Sequence, residues 1–286
     1  MPWDNRIQKT SAVNIINNVY QYESPFPNYD ELEKNPNIVK KFSYGGEDKL
    51  ALGIKIVDYD SIGKVFMEYL PEWKPSESEE KYLPTINPKY NLAYPEFDAF
   101  VLYSFIRHFK PNNIIEIGSG QSTRIMIQAI IKNNNNCKLT CIEPYTDIQY
   151  LKDVYPVNVI KDKVENVDVE LFKSLGKNDI LFIDSSHVLR PFGDVEYEYL
   201  HILPIINKDC IVHIHDIFYP YDYPTQWTID WKSVLTEQQI LLAFLYGNSK
   251  WRTICPNNYI LCNRKDLVPD KIKYKIGGSY WLRKLA

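Results

Sequence analysis

The stretch Asn113-Ile-Ile-Glu116-Ile-Gly118-Ser-Gly120-Gln-Ser122-Thr123 decides how the rest of the chain is read. Asn113–Ile117 has the length and apolar character of a short buried strand. Gly118-Ser-Gly120 is a turn, and Ile125, Met126, Ile127, Ala129, Ile130 and Ile131 then recur as in an apolar helix. A glycine turn between a strand and a helix lets the backbone approach a ligand closely and aims amide N–H groups at it. A dinucleotide fingerprint wants a further glycine three residues on, where this chain has Thr123, so the logic of diphosphate binding is incomplete. Glu116, two positions before the first glycine, suits a cationic ligand group better than a diphosphate.

The pattern continues on both sides. Upstream, Phe97, Val101, Leu102, Phe105, Ile106 and Phe109 predict a helix from Glu96, with Asp98 placed to cap its first turn. Downstream, strands are expected at Lys138–Glu143, Val157–Lys161, Asp179–Asp184 and Cys210–His215. Helices are expected between them at Asp147–Val154, Val167–Leu175 and Phe192–Leu203. The tail adds a helix, Glu237–Leu245, and strands at Arg252–Leu261 and Tyr280–Leu282. Alternating strands and helices indicate βαβ units. The expected fold is therefore α/β, Rossmann-like and doubly wound, with a mostly parallel seven-stranded sheet in residues 93–286. Residues 1–92 have short apolar runs and a stretch punctuated by Pro71, Pro75, Pro84 and Pro88. They are expected to form an N-terminal extension that lids or contacts a substrate site.

In an open parallel sheet, ligands sit beyond the carboxyl ends of the strands. An acidic residue stands at the second strand tip, Glu143, and at the third, Asp162. The fourth strand runs out through Phe182-Ile-Asp184-Ser-Ser-His187, and the fifth through His213-Ile-His215-Asp216-Ile-Phe218. Asp184, His187, His215 and Asp216 are thus expected to converge on one space and to carry the chemistry. His213 and His215 are two apart on a strand and face one side, with His213 deeper and expected in the core. His108 and His201 fall on predicted helices and are expected to be structural.

These motifs resemble class I S-adenosylmethionine-dependent methyltransferases, and in the Phe-Ile-Asp-Ser-Ser-His and His-x-His-Asp-Ile-Phe pair a branch acting on small molecules and sugars at oxygen. The resemblance covers roughly residues 95–286. It implies that Glu116, Gly118, Gly120 and Ser122 hold the amino acid moiety of S-adenosylmethionine. It further implies that Glu143 accepts from the ribose hydroxyls, that Asp162 meets the adenine edge, and that Asp184 borders both cofactor and acceptor. His187 is the first choice of general base, since histidine titrates near neutrality. Asp184 and Asp216 occupy the places of divalent-metal ligands in catechol-type and some sugar methyltransferases. Hard cations prefer oxygen, so the neighbouring His215 argues against a metal here. The aromatic, proline-stiffened run from Phe218 to Trp227, with Trp231 behind it, is expected to form an acceptor wall.

Composition narrows the partners. A net charge of −3 lacks the basic excess of a nucleic-acid binder. The basic residues near the end (Lys271, Lys273, Lys275, Arg283, Lys284) are read as a solvated face. Five cysteines, an odd number without CxxC spacing, favour a reducing compartment over a disulfide framework. Neither a signal-like start nor a membrane-length apolar run is present. The expectation is a cytoplasmic methyltransferase with a sugar-like small-molecule acceptor, with homo-oligomerisation left open. The competing readings are a NAD-dependent oxidoreductase on the same fold and an N-methyltransferase.

Overall fold

A computed structural model describes residues 53–74, 94–272 and 275–286, together with isolated positions between 32 and 37. Most of the 1–92 extension lies outside the described residues, as does Lys273 of the terminal basic group. The sheet and its helices belong to one compact unit, Gly46–Pro220 with Leu235–Ala286; Tyr221–Val234 falls to another.

The chain enters with a 3₁₀ turn at Ile54–Ile56 and helix α1 at Tyr59–Tyr69, capped by the Asp58 carboxylate on the Ser61 amide. Helix α2 (Glu96–Phe109) follows, then strand β1 (Asn113–Ile117), helix α3 (Gln121–Asn133) and strands β2 (Lys138–Ile142), β3 (Val157–Ile160) and β4 (Ile180–Ile183). Next come α4 (Asp194–Tyr197), β5 (Ile211–Ile214), α5 (Glu237–Leu245), β6 (Trp251–Pro256), α6 (Asn257–Asn263) and β7 (Tyr280–Lys284). Among the described residues, seven strands form one sheet in the order β3-β2-β1-β4-β5-β7-β6. All pairs from β3 to β5 are parallel, and β7 is inserted antiparallel between β5 and β6.

Period-two alternation divides each central strand between two cores. Ile180 and Phe182 of β4 face α1, α2 and α3, while Leu181 and Ile183 face the side covered by α4 and α5. Helix α2 is buried over Glu96–Ile106, packed against α1 and α3. Burying one Phe or Leu side chain there contributes about 1.5–3 kcal/mol. Helices α2 and α3 both end on a residue in the left-handed region, Lys110 and Asn134, which closes the last turn. Residues 53–74 join the first core through Val57, Ile62, Val65, Phe66, Tyr69 and Trp73. No helix among the described residues is long and apolar enough to cross a membrane.

Several local expectations are corrected. The segments expected as helices at Asp147–Val154 and Val167–Leu175 are short 3₁₀ turns, Gln149–Asp153 and Val169–Ser174. Neither spans enough residues to repay helix nucleation. The helix expected from Phe192 starts at Asp194 and loosens into a π turn at Glu198–Ile202. The strand expected over Arg252–Leu261 stops at Pro256, where Pro-Asn-Asn breaks the ladder and α6 begins. Within Tyr221–Val234, Gln226–Asp230 make a π turn and the rings of Trp227 and Trp231 stack at 6.2 Å.

Asp98 does not cap α2. Pro95 occupies the N-cap, and Asp98 lies fully buried on the inward face, in line with Val101, Leu102 and Phe105. Its carboxylate accepts from Asn257 Nδ2 (2.7 Å), Gly278 N (2.8 Å) and Ser279 N (3.2 Å), fastening the residue after β6 and the residues before β7 to α2. Asp98→Ala strands three buried donors. It is expected to cost about 3 kcal/mol, read as a lowered thermal midpoint of the whole chain, with Asp98→Asn less damaging.

Candidate functional site

The parallel strands β1 to β5 deliver their carboxyl ends to one edge of the sheet. At the tip of β1, Gly118 turns with φ 76°, and a Cβ there would sit 1.9 Å from the Asp184 carbonyl oxygen. The loop therefore lies against the exit of β4 at a distance only glycine permits. Above Gly120, by contrast, a Cβ would meet nothing within 4 Å.

Glu116 braces this loop from beneath. It is fully buried, and its oxygens accept from Ser122 Oγ and Thr123 Oγ1, both at 2.6 Å, and from Cys141 Sγ at 3.2 Å. Cys141 stands directly across from it in the β1–β2 register. Burial raises the Glu116 carboxyl to about 6, against the pull of those hydrogen bonds. Both oxygens are thus engaged by the first turn of α3, and the loop's own amides are held as well, Gly118 N by the Ile142 carbonyl and Gly120 N by Thr123 Oγ1, both at 3.0 Å. Glu143 at the tip of β2 accepts from Ser119 N (3.0 Å) and from Tyr145 N and Thr146 N (both 2.7 Å), joining the two loops. Asp162, past β3, is exposed and accepts from Lys163 N and Asn166 Nδ2, which hold its pKa down. Ser122 is buried beside Glu116.

The tips of β4 and β5 bring together Asp184, His187, His215 and Asp216. His187 Nε2 lies 3.2 Å from Asp184 Oδ1 and 3.6 Å from Asp216 Oδ2. His215 Nδ1 lies 3.4 Å from Asp184 Oδ1 and 3.6 Å from Asp216 Oδ1. His187 and Asp216 both sit in the left-handed region, with φ 60° and 53°, a conformation that costs energy for a side-chain-bearing residue. The turn at His187 is held by its carbonyl, which accepts from Thr236 N and Glu237 N at the start of α5.

Each imidazole is also gripped from behind. His187 Nδ1 meets the buried Glu237 carboxylate at 2.7 Å, and Tyr199 Oη donates to the other Glu237 oxygen at 3.3 Å. His215 Nε2 meets Asp98 Oδ2 at 3.3 Å. Burial opposes charge on both rings, but the carboxylates around them hold both well above the ordinary histidine range. Burial likewise pushes Asp184 up, and His215 and His187 overcome it, so its carboxyl lies below the usual carboxylate range. His213 differs. It stacks flat on Phe182 at 3.8 Å, shares a hydrogen bond with Ser279 Oγ, and is kept neutral by burial and by His215.

The strand-tip residues were visible in sequence; Glu237 and the true role of Asp98 were not. Asp98 carried a signal, being an acid at a position whose i+3, i+4 and i+7 partners are all core residues. Glu237 lies fifty residues beyond His187 and opens an otherwise ordinary helix. Glu198 is a further buried carboxylate behind the site, accepting from Ser185 Oγ. His108 and His201 lie on α2 and the π turn, away from the strand tips.

Residues 115–217 match the profile of a family described as a methyltransferase domain, a little over a third of the chain. This stretch runs from within β1 to just past β5. An uncharacterised protein of Archaeoglobus fulgidus is 27% identical over 165 residues, spanning 56% of this chain and 73% of its own. Among solved structures, a Podospora anserina methyltransferase with SAH bound is 14% identical, with a TM-score of 0.43 and coverage of 89% of this chain and 97% of its own. A Bacillus cereus O-methyltransferase in complex with SAH is 10% identical, with a TM-score of 0.41 and coverage of 79% and 91%.

The two loop glycines differ in a way that thermal melting reads. Gly118→Ala drives a methyl into the Asp184 carbonyl and is expected to cost more than about 2 kcal/mol. Gly120→Ala enters open space and is expected to leave the midpoint nearly unchanged.

Proposed function

We propose that the chain is an S-adenosylmethionine-dependent methyltransferase acting on a hydroxyl of a small polar acceptor, a sugar or nucleotide-sugar. The observation that carries this reading is the junction of two features at one sheet edge. A glycine loop, held in shape by Glu116, opens beside a carboxylate and histidine cluster at the tips of β4 and β5.

In this reading the glycine loop from Gly118 to Gly120 admits the donor's amino acid moiety closely, and the amides that open α3, at Gln121 and Ser122, receive its carboxylate. Glu143 takes the ribose hydroxyls and Asp162 the adenine edge. Asp184 borders the sulfonium, where a carboxylate held ionised favours positive charge. Methyl transfer then displaces the sulfur in line by the acceptor oxygen, and positioning alone lowers the barrier by several kcal/mol, up to about 7–11 in the best-aligned cases. The hydroxyl enters against His187 Nε2, with Asp216 and His215 beside it, and its proton passes to the neutral form of that ring as the C–O bond forms. The carboxylates that raise the His187 pKa make this form more abundant as pH rises. Glu237 on Nδ1 fixes the ring, as a carboxylate orients a catalytic imidazole elsewhere. A sugar suits a rim of carboxylates and imidazoles because its adjacent hydroxyls find both donors and acceptors there.

Calorimetry on the full chain tests the donor site. S-Adenosylhomocysteine is expected to bind in the micromolar range, about −8 kcal/mol, and NAD to give no heat. Gly120→Val is expected to abolish that heat while melting like the parent. Heat with NAD alone would place the chain among oxidoreductases. For the acceptor, a screen of nucleotide sugars is expected to consume S-adenosylmethionine. In that assay His187→Ala is expected to lower turnover by about 10²-fold or more with donor affinity unchanged.

A further inference from the structure

The cluster at the tips of β4 and β5 has a donor set that a hard cation does not choose. A divalent ion held there in catechol-type enzymes draws on oxygen ligands, and Mg²⁺ binds oxygen almost exclusively. Here Asp184, His187 and His215 each bring one ligand atom within 4.8 Å of the others, so two of three converging atoms are imidazole nitrogens. The donor set therefore does not fit Mg²⁺.

We propose that Asp184, His187 and His215, with Asp216 beside them, form a binding site for a first-row transition ion of the Zn²⁺, Fe²⁺ or Co²⁺ type, held out by Asp98 and Glu237. The inference goes beyond methyl transfer and does not depend on it.

Three observations carry it. Adjacent corners of a tetrahedral or octahedral shell with bonds of about 2.0–2.2 Å are about 3.0–3.5 Å apart. The separations of 3.2 Å and 3.4 Å from Asp184 Oδ1 to the two nitrogens match that spacing. Second, the two rings use different atoms. His187 presents Nε2 and His215 presents Nδ1, and in each case the opposite nitrogen is the one that meets a buried carboxylate, Glu237 or Asp98. A ring that donates its N–H outward to a carboxylate turns its lone pair inward, which is the arrangement that orients metal-binding histidines. Third, Asp216 sets Oδ2 3.6 Å from His187 Nε2 and Oδ1 3.6 Å from His215 Nδ1, so a second carboxylate lies against both presented nitrogens. When bound, such an ion would occupy the His187 Nε2 lone pair and would, in place of that ring, supply a Lewis acid that holds an acceptor oxygen and lowers the pKa of its hydroxyl.

The test uses the untagged full chain, stripped with chelator and dialysed against micromolar Zn²⁺ or Co²⁺ in millimolar Mg²⁺, with ion content read by mass spectrometry. About one transition ion per chain is expected, with Co²⁺ giving visible ligand-field bands. Asp98→Asn and Glu237→Gln are expected to weaken Co²⁺ binding about 10- to 100-fold. The double variant His187→Ala/His215→Ala is expected to bind none. Should that variant not fold, pulsed electron resonance on Cu²⁺-loaded parent protein reads the ligands directly, and coupling to two imidazole nitrogens is expected. Retention of Mg²⁺ alone, no ion at all, undiminished Co²⁺ binding by a folded double variant, or a Cu²⁺ spectrum without imidazole coupling would each overturn the proposal. None of these readouts involves donor or acceptor, so its failure is separate from failure of the methyltransferase reading.

Discussion

Asp98 is a carboxylate with no water to turn to, and much of the architecture is arranged to satisfy it. It sits on the inward face of α2, takes hydrogen bonds from Asn257, Gly278 and Ser279, and reaches His215 at the tip of β5. Those partners are up to 181 residues away in sequence. A buried charge that loses its donors costs several kcal/mol, so the segments that supply them are fixed together. One side chain therefore determines both how the C-terminal strands close the sheet and how the His215 ring is aimed.

The same economy recurs through the site. Glu116 and Glu143 each hold a loop by accepting from groups on the next element, and Glu237 does so for His187. Acidic residues behind the strand tips thus act mainly as scaffolding, while the glycine loop and the Asp184–His187–His215–Asp216 cluster form the proposed working face. Gly118 explains why the two halves meet. Its missing side chain lets the β1 turn touch the β4 exit, so the loop proposed for the donor and the cluster proposed for the acceptor share a wall.

The fold was legible because apolar runs and glycine turns obey local periodicity. All seven strands lie where strand-length apolar runs predicted them, with ends shifted by one to a few residues; the largest misreading is the run from Arg252, which becomes α6 after Pro256. Short helical segments were overread, because a few apolar residues at helical spacing do not reveal whether a turn will settle as α or 3₁₀. In the site, residues attached to strand tips could be found by counting from the strands. Asp98 and Glu237 could not be placed in that way. Their roles depend on pairings across the fold, and a lone acid in an apolar helix reads first as a cap or a surface charge.

The central claim is that the Glu116-braced loop and the β2 tip receive the methyl donor. Amide hydrogen exchange of the full chain, with and without saturating S-adenosylmethionine, tests it most directly. The account predicts slowed exchange concentrated at residues 118–123 and 143–146, with the remainder of the sheet little changed. Saturating donor that leaves those amides exchanging at their free rate, or protects a different face of the sheet, would contradict it.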